Sequence, residues 1–309
     1  MAAHPSLSLA HPELRADLRT RPLSASALEL WIACPARWFV ERLLRPDRPD
    51  PDPEPLTRGA LAHAALRDTL HALRQHTGSA RITPNSLDLA LELLRAALAR
   101  HETAFPLSPS PERLPPNRRK LAADLDRYLR HCAEHQSPLE PLHLELPFGF
   151  QDDRPEGLPA LDLAPGLRLR GRIDRIDLSP TGEAVVYDYK GAAVTPAARW
   201  LPDAKLQLAL YMHAAEHLLH LPVVGGFYQP LAGSDLRPRG ALREDFAPEL
   251  NCFHTDRLPA HDLADLRAQA LALARRAARE IIAGHIAPRP ATCSYTGGCS
   301  HPAICRSGR

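Results

Sequence analysis

Asp174, Asp188 and Lys190 put two carboxylates and an amine on a stretch that reads as a β-hairpin. The runs Arg168-Leu-Arg-Gly-Arg-Ile-Asp-Arg-Ile-Asp177 and Ala184-Val-Val-Tyr-Asp-Tyr-Lys190 flank a Pro/Gly turn, Ser179-Pro-Thr-Gly-Glu183. Both runs are of strand length, and Val185, Val186, Tyr187 and Tyr189 favour strands. A turn centred near Thr181 leaves Asp174 and Asp188 equally far from it and so opposed, with Cβ atoms about 5 Å apart. By the two-residue period Asp188 and Lys190 share a face, and Tyr189 points to the other. That is a cation-holding and general-base constellation. The alternative is a charged cross-strand pair on a solvated sheet.

The three groups suit phosphodiester hydrolysis. Paired carboxylates hold a hard divalent cation through oxygen, with water and substrate phosphate completing its shell. Such an ion acidifies bound water and screens the charge that develops on phosphate. A lysine beside it can orient or deprotonate the attacking water, which a guanidinium cannot do. Lys120, Lys190 and Lys205 are the only lysines among 38 basic residues. A lysine at 190, in a chain that otherwise writes positive charge as arginine, points to chemistry that arginine does not support.

Gly171-Arg-Ile-Asp174 followed by Asp188-Tyr-Lys190 resembles the PD-(D/E)xK nuclease superfamily, in its RecB/AddB-type exonuclease branch. The resemblance implies Asp174 and Asp188 as metal ligands, with the Tyr189 carbonyl able to join them, and Lys190 as the catalytic lysine. Arg58-Gly-Ala-Leu-Ala-His63 resembles the family's first motif, whose helical histidine adds a metal ligand; a lone helical histidine is otherwise a surface residue. Imidazole suits a softer ion better than Mg²⁺, so Mn²⁺ is expected to serve as well. Glu145, in the alternating run Leu142-His-Leu-Glu-Leu-Pro-Phe148, matches an acidic position that often precedes the paired acids; edge-strand surface charge is the rival reading. Gln207 and Tyr211 are four apart and share a helix face, and they resemble a Gln-x-x-x-Tyr motif that helps order the site and the DNA backbone.

Cys293, Cys299 and Cys305, each pair separated by five residues in a Gly/Pro-containing loop, need a shared partner. With Cys34 they make four thiolates, the usual complement of a [4Fe–4S] cluster. Structural zinc and unligated thiols are the alternatives, although the close-spaced cysteine knuckles usual for zinc are absent. The run Ser24 to Phe39 around Cys34 resembles the opening helix of the iron–sulfur members of the branch. The wider Cys293–Cys299 gap departs from their pattern, and His301 is a substitute ligand to consider. Such a cluster would staple the N- and C-terminal segments by closing a very long loop. Cys132 reads as structural.

The elements that must position these groups follow from pattern. Residues 1–23 read as a loose lead-in and 24–309 as one nuclease domain, with a helical insertion at about 80–137 and the cysteine segment at 286–306. Apolar spacing from Leu28 to Leu44 predicts a helix broken at Cys34-Pro35. Residues 46–57 read as a rigid acidic proline linker. Helices are predicted at 86–103, 117–135, from Lys205 to about Leu219, and at 258–284, with a strand at Val223–Tyr228. The fold class is α/β: a central mixed sheet flanked by helices, a restriction-endonuclease-like core.

At 309 residues and a formal charge of +2, no global positive field is present, and any nucleic-acid footprint must be local. No apolar run approaches a membrane span, and no signal-peptide core or phosphate-cradling Gly/Lys loop is seen. A cytoplasmic protein that does not itself hydrolyse ATP is expected. The resemblance implies a Mg²⁺- or Mn²⁺-dependent deoxyribonuclease, a single-strand exonuclease in double-strand-break repair and recombination, with single-stranded DNA ends as substrate and a helicase-like partner subunit. The alternatives are a non-catalytic DNA-end-binding or assembly module and a CRISPR-adaptation-type nuclease.

Overall fold

The computed structural model describes residues 8–46, 54–150 and 157–289. Its first part is helical: α1 (Pro12–Thr20), a short strand β1 (Leu23–Ser24), α2 (Ala25–Ala33), α3 (Pro35–Trp38), a π-helical turn at Phe39–Leu44, α4 (Glu54–Thr77), α5 (Leu87–His101) and α6 (Leu114–His135). Strands β2 (Glu140–Phe148), β3 (Leu161–Ala164), β4 (Leu167–Leu178) and β5 (Ala184–Lys190) follow. Then come α7 (Gln207–Leu219), β6 (Val223–Pro230), β7 (Arg239–Arg243), β8 (Arg257–Leu258) and α8 (Ala260–Ile282).

The strands form one mixed sheet in the order β1-β4-β5-β6-β7-β8, with β2 and β3 also paired to β4. β4 runs antiparallel to β2, β3 and β5, whereas β5 and β6 are parallel and joined through α7. A parallel pair needs such a crossover. Helices α2, α7 and α8 cover the sheet around Leu28, Trp31, Val186, Leu210 and Ile281. Val185 and Tyr187 face the other way, into a smaller cluster with Phe227 and Leu242. β5 is therefore apolar on both faces up to Tyr187, as a strand buried on both sides requires. Gly171 lets α7 come close: a Cβ there would lie 2.8 Å from Tyr211 Cε1 and 2.9 Å from the Phe148 ring.

α4, α5 and α6 enclose a second core around Leu66, Leu73, Leu94 and Leu125, into which Tyr189, Leu231 and Leu236 project. The expected insertion thus shares its interior with α4, the helix that carries His63. Three boundaries differ from expectation, and proline explains two. Glu54–Thr57, read as linker, opens α4, and Pro115 and Pro116, just before the helix predicted from 117, lie in the first turn of α6. Proline lacks an N–H where a helix start needs none. Within the lead-in read as loose, Pro12–Thr20 is helical and buries Leu18. Among the described residues no helix is long and apolar enough to cross a membrane.

Candidate active site

The hairpin register pairs Arg175 with Tyr187 through Leu178 with Ala184, which continues to Asp174 opposite Asp188. The backbone ladder stops one residue short of that pair. There β5 leaves β4, and the rung is supplied by a side chain: the Tyr189 N–H donates to Asp174 Oδ2 at 2.7 Å. Both aspartates are buried, with Asp188 2% exposed.

Two further elements reach the same notch. His63 on α4 places Nδ1 3.0 Å from Glu145 Oε1 and 3.4 Å from Asp174 Oδ1, and its ring meets the edge of Tyr189 at 5.4 Å. One ligand atom from each of His63, Glu145 and Asp174 lies within 4.8 Å of the others. Glu145 sits in the middle of β2 with φ +51°, a left-handed conformation that a non-glycine residue holds only when its surroundings impose it. The pairs Leu144–Arg175 and Leu146–Ile173 on either side keep Glu145 opposite Asp174 despite that kink.

The electrostatics are those of a cation site. Burial lowers the His63 pKa, but hydrogen bonds and charge from Asp174 and Glu145 outweigh it and push it up to about 10. A proton thus sits between carboxylates where a metal ion would sit. Burial, then the charge of Asp174, pushes Asp188 up to about 7 against the pull of Lys190. Asp188 Oδ2 contacts Lys190 Nζ as an ion pair, yet this buried oxygen has no aligned hydrogen bond. Oxygen and imidazole donors with an unsatisfied buried carboxylate oxygen fit a hard or borderline divalent ion.

Lys190 begins a second chain of contacts. Its Nζ donates to Gln207 Oε1 at 3.2 Å, and Gln207 Nε2 donates to Tyr211 Oη at 3.3 Å. Burial pushes the Tyr211 phenol up, so it stays a neutral hydrogen-bonding group. Tyr189 enters through its amide N–H and its ring; its side chain belongs to the helical core.

Two supporting residues escape sequence reasoning. Glu29 on α2 accepts from the Leu206 and Gln207 amides at 2.7 and 2.9 Å and so caps the N-terminus of α7, where unpaired N–H groups attract an acid. Burial raises its pKa. The only hint of it is an acid inside the apolar run Leu28 to Ile32. Arg175, buried behind the site, donates to Tyr128 and Tyr189 hydroxyls at 2.8 and 3.2 Å and ion-pairs with Asp177, tying α6 to β4. Glu29→Ala is expected to cost on the order of 1–2 kcal/mol, lowering the melting temperature by a few degrees. It should reduce turnover while leaving Mn²⁺ affinity within about twofold, which calorimetry and a melting curve will check.

Cys34 is half-buried at the α2–α3 junction. The described end of the chain passes close by: Trp31 Nε1 donates to the His285 carbonyl at 3.2 Å, and Arg289 donates to the Ile32 carbonyl at 2.7 Å. Cys293, Cys299, Cys305 and His301 lie outside the described residues. A second group of metal-ligand type, His213, Glu216 and His217, lies on α7, where Arg267 of α8 holds Glu216.

Comparison with known proteins places this geometry in context. A family model described as the PD-(D/E)XK nuclease superfamily matches residues 22–306. An ATP-dependent helicase/deoxyribonuclease subunit from Pelotomaculum thermopropionicum is 31% identical over 231 residues, covering 67% of this chain and 19% of the relative. Its counterpart from Geobacillus kaustophilus, of the same description, is 30% identical over 229 residues, covering 71% of this chain and 19% of the relative. The chain therefore spans about a fifth of the length of the curated relatives it matches.

Proposed function

Since the chain belongs to the PD-(D/E)XK nuclease superfamily and has a restriction-endonuclease-like mixed sheet, we propose that it is a Mg²⁺- or Mn²⁺-dependent deoxyribonuclease acting as an exonuclease on single-stranded DNA ends. The observation that carries this reading is the convergence of His63, Glu145, Asp174, Asp188 and Lys190 at one unzipped rung of the sheet.

Asp174, Asp188, Glu145 and His63 would hold the divalent ion. When bound, it would supply Lewis acidity to water and to the phosphate oxygens. Lys190, braced between Asp188 and Gln207, takes the role of orienting the attacking water and, once it has given a proton to solvent and stands as the neutral amine, of accepting the water's proton. A bond forms from water oxygen to phosphorus, the ester P–O bond breaks, and the leaving oxygen takes a proton from solvent. Tyr211 and Gln207 hold Lys190 on line, and the Asp174–Tyr189 hydrogen bond fixes the carboxylate that faces His63.

The names of the two relatives support DNA as substrate and a helicase-bearing partner or parent polypeptide; the role in processing broken DNA during repair and recombination is our own reading of such an activity. End-labelled linear single strands and their circularised counterparts, incubated with Mn²⁺, test the exonuclease assignment. Linear strands should be degraded and circles should survive; cleaved circles would make the enzyme an endonuclease.

The path of residues 285–289 along α2 supports the four-cysteine staple with Cys34, holding a [4Fe–4S] cluster. Cys34→Ser is expected to lose iron and the visible absorption near 400 nm, and to lower the unfolding midpoint by the equivalent of ~2–4 kcal/mol, the order found for long-loop crosslinks. A colourless wild-type protein containing zinc would replace the cluster by that metal.

A further inference from the structure

Resting on the nuclease reading above, we propose that the exposed face of β4 is a track for single-stranded DNA, running from Arg168 past Arg170 and Phe150 to Arg172 at the metal cluster. Along the first half of β4, Leu167, Leu169 and Gly171 are buried and the alternate residues Arg168, Arg170 and Arg172 face outward. Their Cα atoms repeat at about 6.7 Å, a spacing that suits the successive phosphates of an extended single strand. The row leads into the site: Arg172 Nη1 lies 3.8 Å from Glu145 Oε2, and Glu145 shares the cluster with His63 and Asp174.

These arginines differ from most in the chain. Arg37, Arg199 and Arg276 each bind a carboxylate one helical turn away, the usual fate of a solvated surface charge. Arg168 instead donates to the Thr20 carbonyl, and Arg170 lies over the Phe150 ring, 5.4 Å from its centre. Among the described residues neither has a carboxylate within ion-pair distance, although Asp162 stands opposite Arg168 in the β3–β4 register. Burial, and then the positive charge of nearby Arg21 and Arg45, hold the Arg170 guanidinium below its usual range. Positive charge is thus concentrated here, in a chain whose formal charge is only +2.

Phe150 supplies the selectivity. It is 39% exposed at the end of the β2 edge, where an apolar ring in water has a use if a base covers it. Stacking on a side chain requires an unpaired base, whereas a duplex keeps its faces closed. Arginines at alternate positions of one strand with one aromatic beside them therefore fit an unwound strand fed toward the cluster.

The test measures binding of a fluorescein-labelled oligothymidylate by anisotropy in metal-free buffer over a salt series, and hydrolysis of a thymidine dinucleotide with Mn²⁺. The double variant Arg168→Ala/Arg170→Ala should weaken binding about tenfold or more and flatten the salt slope by about 1.4, two phosphates at 0.7 each. Phe150→Ala should weaken binding at least about fivefold with the salt slope unchanged. Dinucleotide hydrolysis should persist in both variants, because so short a substrate engages only the cluster end. Wild-type affinity and slope in both variants, with the dinucleotide still hydrolysed, would overturn the track and leave the nuclease reading standing. Equal weakening of binding to a blunt duplex, or a preference for single-stranded RNA, would overturn the single-stranded DNA assignment. A wild-type protein that leaves the dinucleotide intact counts against the nuclease reading instead.

Discussion

Lys190→Ala should lower single-turnover hydrolysis of an end-labelled single strand by about 10²–10⁴-fold, the range for a positioned proton acceptor, while the protein stays folded. Lys190 links the acid site to α7, touching Asp188 on one side and Gln207 on the other. Its side chain is about one-third exposed, so substrate and water can reach it. Arginine at this position separates two roles. Lys190→Arg keeps the charge beside Asp188 but replaces the amine by a guanidinium that cannot be deprotonated. Activity comparable to that of the alanine variant assigns Lys190 to proton transfer. Recovery of most of the activity makes it an electrostatic group, and undiminished hydrolysis in Lys190→Ala would sink the catalytic assignment altogether.

Asp188→Asn should make the metal-free protein more stable and leave it almost inert. With a folded pKa near 7, above the ordinary carboxylate value, Asp188 is protonated more readily in the native state than in the unfolded chain. Its ionisation therefore works against folding. The favourable balance is complete below about pH 4 and is lost as pH rises through about 7. In the metal-free wild type this costs on the order of 2–4 kcal/mol by pH 8, offset when a cation neutralises the cluster. An amide at 188 removes the Asp188 share of the pH slope together with the gain on adding Mn²⁺, and leaves the His63 share above about pH 6.5. Melting curves at pH 5 and pH 8, with and without Mn²⁺, give the four readings required. A variant whose midpoint still rises with Mn²⁺ as the wild type does would show that His63, Glu145 and Asp174 hold the ion without Asp188.

How much of this was legible in the chain depended on sequence distance. The opposition of Asp174 and Asp188 follows from a two-residue period and a turn at Thr181, both local, and the register agrees with it. The Gln207–Tyr211 pair is a helical spacing and equally local. His63 and Glu145 could be placed at the site only through resemblance, since α4 meets β2 and β4 across 82 and more residues of chain and no local turn signal pairs β2 with β4. Glu29 reaches Leu206 across 177 residues, and nothing periodic in α2 announces that its one acid points at another helix. Arg175 reads as an alternate residue of a solvated strand until Tyr128, Tyr187 and Tyr189 are seen around it. The left-handed backbone of Glu145 has no composition signal at all, for neither glycine nor asparagine marks it.

The imidazole of His63 belongs to a body of three helices with its own apolar interior, whereas the carboxylates stand on the sheet. Tyr189, the Arg175–Tyr128 contact and the hydrogen bonds from Arg74, Ser79 and Ala80 to β2 rivet the two together. A cation held from both sides would act as a clasp. By reciprocity, whatever loosens the helical cap would weaken its hold on the ion by the same factor, and loading the ion would stabilise the seat of the cap on the sheet.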